Sequence, residues 1–292
     1  MQIIDGKLVS KHKKDEIAKA VAEMIDSGRR APHLAAILVG DDPASMTYVN
    51  NKEKSAKSAG ITSSVYRLPA DTTEEKLLET VDFLNNDDEV DGFIVQLPLP
   101  RHISDSKVIE RINPAKDVDG FHPQNMGRMV QYLPSYLPAT PYGIVQLLDY
   151  YNIETEGKHC VVLGRSQIVG TPMTLLLSRK SRPGNCTVTI CHSYTKDLPF
   201  HTLQADILIA AIGRPAFIKA DMVKEGAVVI DVGIHRVEDT EKGGSRLIGD
   251  VDFEEVSKKV SYITPVPGGV GPMTIVGLLQ NTLRAAKKEI YP

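Results

Sequence analysis

Apolar and polar positions along this chain alternate between two periods. Segments with apolar residues three and four apart, the repeat of a helix buried on one side, are separated by short unbroken apolar runs. Runs of that kind form strands covered on both faces. Residues 10–28 have the helical pattern, and Gly28 suits the left-handed residue that ends a helix. Leu34–Gly40 reads as a buried strand. Asp42-Pro43 then opens a second helix, because aspartate is a good N-cap and proline fits the first turn; this helix is expected to run to Gly60. A strand at Ser64–Leu68, a helix over 73–86 and a strand over Gly92–Leu97 complete a repeating α/β unit.

The composition shifts between 131 and 143. Pro134, Pro138 and Pro141 precede Gly143 there, which suits a stiff connection between two domains. Past a helix at about 142–151 come four further strand-like runs, His159–Leu163, Thr187–Cys191, Ile207–Ala211 and Val228–Val232. Their spacing resembles a dinucleotide-binding domain. The last segment, 272–290, is an amphipathic helix. Alternating helices and strands predict an α/β fold with largely parallel strands, and no internal repeat is legible.

Composition narrows the function. Of 292 residues 42% are hydrophobic and 24% charged, enough apolar material for sizeable cores. The formal net charge is −3 with Lys and Arg scattered, so the basic stripe of a nucleic-acid binder is missing. No apolar run approaches the ~18 residues of a membrane span, and Met1–Gly6 does not read as a leader. Cys160, Cys186 and Cys191 form no C-x-x-C pair and are expected to be core or near-site thiols in a reducing cytoplasm, with no metal.

Candidate chemistry lies in four places. Gly164-Arg165-Ser166-Gln167-Ile168-Val169-Gly170 follows an apolar strand and precedes a helix, the position of a phosphate loop, although its spacing is not G-x-G-x-x-G. The next strand ends Cys191-His192-Ser193 without the carboxylate that binds an NAD ribose. Arg165 and Ser193 with no carboxylate nearby favour a 2′-phosphate, hence NADP. Ser45, Tyr48 and Lys52 are spaced to share a helical face, and a lysine of lowered pKa moves protons near neutrality. Gln96 ends a strand in Val-Gln-Leu-Pro-Leu-Pro, where ligands of open α/β sheets bind. Asp117 and Asp119 lie on a glycine-containing loop, where aspartate serves a turn as readily as a ligand.

The order Pro43-Ala44-Ser45-x-x-Tyr48-Val49-x-x-Lys52, Val95–Pro100, Lys116–Gly120, Gly164–Pro172 and Pro265–Thr274 closely resembles the methylenetetrahydrofolate dehydrogenase/methenyltetrahydrofolate cyclohydrolase family over nearly the whole chain. The resemblance implies two α/β domains flanking a cleft, the second a Rossmann-like NADP-binding domain. Residues 1–140 would form the folate-binding catalytic domain, joined by a returning helix over 273–292, and residues 141–272 the nucleotide domain. By the same resemblance Lys52 is the catalytic lysine, Tyr48 its neighbour and Gln96 the glutamine that holds it. Ser45, Asp119, Gly268, Gly269 and Pro272 would line the folate site, with Asp119 on the pterin. Gly164, Arg165, Ser166, Gly170, Ser193 and Ile234 would take the cofactor. The implied activity is oxidation of 5,10-methylenetetrahydrofolate with NADP, then hydrolysis to 10-formyltetrahydrofolate, by a homodimer. Ala139 stands where some members carry Cys, and His235 where Asn is usual. The alternatives, a dehydrogenase without the hydrolase step and a silent folate-binding protein, would be expected to lose Lys52, Asp119 or the Gly268-Gly269 loop.

Overall fold

The computed structural model describes residues 1–238 and 244–292, which divide into two compact units. One comprises Met1–Lys11 and Thr140–Thr274, the other His12–Ala139 and Ile275–Pro292. The helices Gly6–Asp26 and Val270–Ala286 each begin in the first of these and continue into the second. Among the described residues no helix is long and apolar enough to cross a membrane.

The unit built on Thr140–Thr274 holds a six-stranded sheet. Its order is Gln2–Ile3, Tyr262–Ile263, Val228–Asp231, Ile207–Ala210, His159–Leu163, Thr187–Cys191, and every pairing is parallel. Val161, Leu163, Leu208, Ala210 and Val229 send fully buried side chains into one core. The chain extends in one direction from His159–Leu163 to the edge strand Thr187–Cys191, and in the other to Ile207–Ala210. That reversal creates the crevice at the carboxyl ends where α/β sheets take ligands. A separate antiparallel hairpin pairs His235–Glu238 with Ser245–Ile248.

The first strand departs from the 1–140 boundary expected from the sequence. Gln2–Ile3 joins the nucleotide-type sheet beside Tyr262–Ile263, and Ile4, fully buried, donates its N–H to Ile263 O at 2.8 Å. A two-residue strand has no periodicity to read. The connection expected over 131–143 also differs, because the helix Ala139–Tyr150 begins inside it. Pro141 sits in that helix's first turn, where its missing N–H costs nothing. Gly143 lies one turn in, where a Cβ would stand 2.7 Å from Met273 O.

The other unit is a three-stranded parallel sheet, Thr62–Leu68, His33–Val39, Gly92–Val95, with helices Pro43–Ser58 and Glu74–Asn85 as crossovers. Ala35, Ile37, Val39, Phe93 and Val95 pack on Leu77, Val81 and Leu84. The end of Val270–Ala286 is fixed within this unit. Asn281 Nδ2 donates to Val118 O at 2.8 Å and to Leu137 O at 2.9 Å, and Arg29 Nη2 to Ala286 O at 2.6 Å.

The two sheets share a device that the sequence did not disclose. His33 opens the central strand of one; its N–H donates to Asp91 Oδ2 at 2.7 Å, its Nδ1 lies 3.1 Å from Glu89 O and its Nε2 3.0 Å from Ser64 Oγ. His159 opens the strand of the other that lies between Ile207–Ala210 and Thr187–Cys191, with Asp206 Oδ2 at 2.9 Å, Gln204 O at 3.2 Å and Thr189 Oγ1 at 2.9 Å. In both, the aspartate directly precedes the first residue of the neighbouring strand, and the carbonyl lies two residues before the aspartate. Since a carbonyl only accepts, Nδ1 carries a proton in each ring. The same hydrogen-bonding arrangement thus opens one strand in each sheet.

Candidate active site

Asp42 caps the helix Pro43–Ser58 by accepting from Ser45 N at 2.8 Å, which sets where its first turn begins. The buried positions of that helix are Ser45, Val49, Lys52 and Ala56, a stripe spaced by four, three and four. An ammonium in such a stripe is costly unless it is paired. Lys52, only 7% exposed, donates from Nζ to Gln96 Oε1 at 3.1 Å. Gln96 is fixed in turn by Nε2 donating to Leu97 O at 2.6 Å, which leaves its oxygen aimed at the lysine. Burial lowers the Lys52 pKa, and the negative charge of Asp119 opposes that shift without cancelling it. Asp119, half-buried, is held above the usual carboxylate range by burial, with Lys52 pulling it back down.

Tyr48 is half-buried at the flank of the stripe, and burial raises its pKa, so it remains a neutral phenol. The lowered pKa of Lys52 comes from burial, against the opposing pull of Asp119.

The loop bearing Asp119 is organised by its neighbour. Asp117 is buried and accepts from His122 N at 2.8 Å, Phe121 N at 3.2 Å and Asn125 Nδ2 at 2.8 Å. Burial pushes its pKa up to about 7 despite those bonds. Asn125 also accepts from Tyr291 Oη at 2.9 Å, tying the chain's end to this loop. A shallow crevice is bounded by Asp117, Asp119, Phe121, Leu97 and residues Phe93, Ile94 and Val95. Of the two carboxylates, Asp117 is occupied in making the loop, and Asp119 is the one whose charge acts on Lys52.

The second group of residues lies in the other unit. Gly164 leaves the strand His159–Leu163 with φ +114°, and a Cβ there would collide with Ala211 O. A Cβ on Gly170 would meet Gly164 O. Ser166 Oγ accepts from Val169 N at 3.1 Å and Gly170 N at 3.4 Å, covering part of the N-terminus of the helix Gly170–Ser178. Arg165 and Ser193 are both exposed, and the Arg165 guanidinium lies 5.7 Å from the Tyr194 ring centroid. That turn is held by His192 N donating to Thr195 Oγ1 at 2.9 Å. A cation steadied on an aromatic face beside a free hydroxyl suits a phosphate monoester.

Gly268, with φ +109°, accepts from Lys7 N at 3.1 Å, and Gly6 approaches Gly269 so closely that a Cβ would strike Gly269 O. Pro272 stands in the first turn of Val270–Ala286, and Ile234 is 40% exposed near Gly271. The structure thus brings Ser45, Lys52, Gln96 and Asp119 together in one unit. It places the Gly164–Gly170, Ser193, Ile234 and Gly268–Pro272 residues in the other.

Sequence reasoning missed Asp231 and Asp250. Asp231 is buried at the end of Val228–Asp231 and accepts from Gly233 N at 3.0 Å, Asp250 N at 2.9 Å and Val251 N at 2.9 Å; burial raises its pKa to about 6. Asp250, fully buried, accepts from Ile212, Gly213 and Arg214 N–H groups at 2.8, 3.0 and 2.8 Å. The sequence shows only Asp231 within the apolar run Val228–Val232 and Asp250 directly after Gly249.

Two family models cover most of the chain: the tetrahydrofolate dehydrogenase/cyclohydrolase catalytic domain over residues 4–119 and the NAD(P)-binding domain of the same family over 138–290. The bifunctional protein FolD of Cytophaga hutchinsonii is 60% identical over 287 residues, covering 98% of this chain and 99% of that protein. That of Bacteroides fragilis is 61% identical over 292 residues and all of both chains. Among solved structures, the FolD methylenetetrahydrofolate dehydrogenase/cyclohydrolase of Campylobacter jejuni has a TM-score of 0.92 at 49% identity, covering 99% of each chain. The Trypanosoma brucei enzyme, solved with NADP and an inhibitor, also has 0.92, at 38% identity over 99% and 98%. The chain belongs to the tetrahydrofolate dehydrogenase/cyclohydrolase family.

Proposed function

We propose that this enzyme oxidises 5,10-methylenetetrahydrofolate with NADP and hydrolyses the resulting 5,10-methenyltetrahydrofolate to 10-formyltetrahydrofolate, with Lys52 as the proton carrier of the second step. The observation that carries the reading is the buried Lys52 Nζ bonded to Gln96 Oε1 at 3.1 Å, in a chain of this family.

The first step needs position more than proton transfer. Asp119 accepts the N–H groups of the pterin, and Ser45 and Tyr48 shape the folate site in the same unit. Arg165 and Ser193 hold a 2′-phosphate, while Gly164, Ser166, Gly170 and Ile234 seat the remainder of the dinucleotide. The donor set fits NADP, because a guanidinium and a hydroxyl lie exposed at the strand end Cys191–Ser193, where no carboxylate stands to repel the phosphate. Bound NADP supplies the acceptor for the hydride.

Hydrolysis requires that water attacking the amidinium carbon lose a proton and that a folate nitrogen gain one before the C–N bond breaks. Burial favours the neutral amine of Lys52, and a cationic substrate favours it further. Nζ therefore takes the proton from water, holds it as ammonium bonded to Gln96, and returns it to the leaving nitrogen. Tyr48 walls the site as an uncharged phenol. Three free, buried cysteines suit a reducing cytoplasm. A homodimer joined through the Thr140–Thr274 unit completes the reading; that unit leaves Thr187–Cys191 as an open sheet edge with Ile190 37% exposed.

The test is a stopped assay of purified protein with 5,10-methylenetetrahydrofolate and NADP or NAD. NADPH together with 10-formyltetrahydrofolate above the uncatalysed rate is expected. Accumulating methenyltetrahydrofolate would remove the role of Lys52, and no turnover with either cofactor would remove the reading.

A further inference from the structure

The Asp250 carboxylate is the meeting point of two turns at the carboxyl ends of the nucleotide sheet. Oδ2 takes the N–H groups of Ile212 and Gly213, and Oδ1 takes that of Arg214. The remaining donor is a side chain: His235 Nε2 lies 2.7 Å from Oδ1. A carboxylate already accepting three N–H groups offers only acceptors, so Nε2 carries the proton of that bond. His235 opens the hairpin strand His235–Glu238 opposite Ile248, two residues before Asp250. It directly follows Gly233-Ile234, and a Cβ on Gly233 would stand 2.5 Å from the Asp250 carboxyl carbon, so this turn is pressed against the same group. Asp231 adds a second tie through Gly233 N and Asp250 N. Through Asp250, His235 therefore links the turn after Val228–Asp231 to the turn after Ile207–Ala210.

Those turns have a definite place on a bound dinucleotide. The end of Thr187–Cys191, with Arg165 and Ser193, lies on one side of His159–Leu163, and Ile212–Arg214 and Val232–Ile234 follow strands on the other. A dinucleotide laid across the reversal point puts its adenosine on the first side and its nicotinamide on the second. We propose that His235, through Asp250, is a positioning residue for the nicotinamide half of the cofactor. It acts on the dinucleotide without touching the 2′-phosphate end. The inference rests on the NADP-binding reading above and adds a residue to it.

Equilibrium binding of NADP and of adenosine 2′,5′-bisphosphate, which lacks the nicotinamide half, separates the possibilities in full-length protein. His235→Ala should weaken NADP about tenfold, the cost of roughly one charge-assisted hydrogen bond, and leave the bisphosphate within about twofold. His235→Phe, which fills the space without a donor, should match it and guards against a folding defect in the smaller variant. His235→Gln, whose Nε2–H reaches to a similar distance, should bring NADP back to within about threefold of the native value. Unchanged NADP affinity in the Ala and Phe variants, or equal weakening of both ligands, would overturn the inference. Failure of the native protein to bind NADP would instead sink the reading on which it rests.

Discussion

Lys52 and Gln96 meet from different elements, a helix and the end of a strand, at 3.1 Å, and Leu97 O holds the far end of the glutamine at 2.6 Å. The amide therefore cannot swing away when the lysine gains or loses a proton. Its oxygen prefers the ammonium, whereas burial prefers the amine. A group balanced in that way exchanges protons readily.

Lys52→Met should reduce formation of 10-formyltetrahydrofolate from methenyltetrahydrofolate at least ~100-fold, the usual worth of a general acid–base group. The melting temperature should hold or rise, because methionine keeps the apolar stem and removes an ammonium that burial penalises. Assay and thermal melt together decide it; a collapse of both would assign the lysine a structural role.

The pH dependence of hydrolysis follows from the same balance. The working base is the neutral amine, so the rate should climb with pH through a pKa below the ordinary lysine value. Asp119 raises that pKa. In Asp119→Asn the rising limb of the kcat profile should therefore move to lower pH, even as KM for folate increases. A limb displaced upward would contradict the charge argument.

Asp117 makes stability depend on pH in the opposite sense from most carboxylates. Its folded pKa, about 7, lies above the ordinary 3.8, so the folded state binds more protons between those values. The contribution of Asp117 is greatest near pH 4 and is lost as pH rises to about 7. His122, whose pKa burial lowers, works the other way near neutrality, so the comparison must be between variants. The melting temperature of the native protein minus that of Asp117→Asn should shrink from pH 5 to pH 8, which scanning calorimetry reads directly.

Arg165→Ser should cost NADP about 10- to 100-fold in KM, in line with a lost charged hydrogen bond to phosphate, and leave NAD nearly untouched. Steady-state rates with each cofactor give the ratio. Equal losses would move the arginine away from the 2′-phosphate.

Much of this was legible because the chemistry sits on regular elements. The face of Pro43–Ser58 could be read from spacing, and its lysine is where the pattern put it. Tyr48 was less well placed, since about 100° per residue leaves it to one side of a stripe running through Ser45 and Lys52. Asp231 and Asp250 were invisible for another reason. Their partners are backbone N–H groups brought together only by folding, and no residue pattern marks those partners. The hairpin His235–Glu238 with Ser245–Ile248 and the edge strand Gln2–Ile3 were too short to register as periods.

The paired histidine clamps on His33 and His159 bear on how one architectural plan serves two chemistries. Past each clamped strand the chain turns at a left-handed glycine, Gly40 with φ +83° and Gly164 with φ +114°, and enters a helix. After Gly164 the helix start is guarded only by the neutral Ser166 hydroxyl. After Gly40 the corresponding start is already filled by the carboxylate of Asp42. One copy has left its positive pole open to an anion; the other has stopped it with a charge of its own, and sends a lysine inward from the helix that follows.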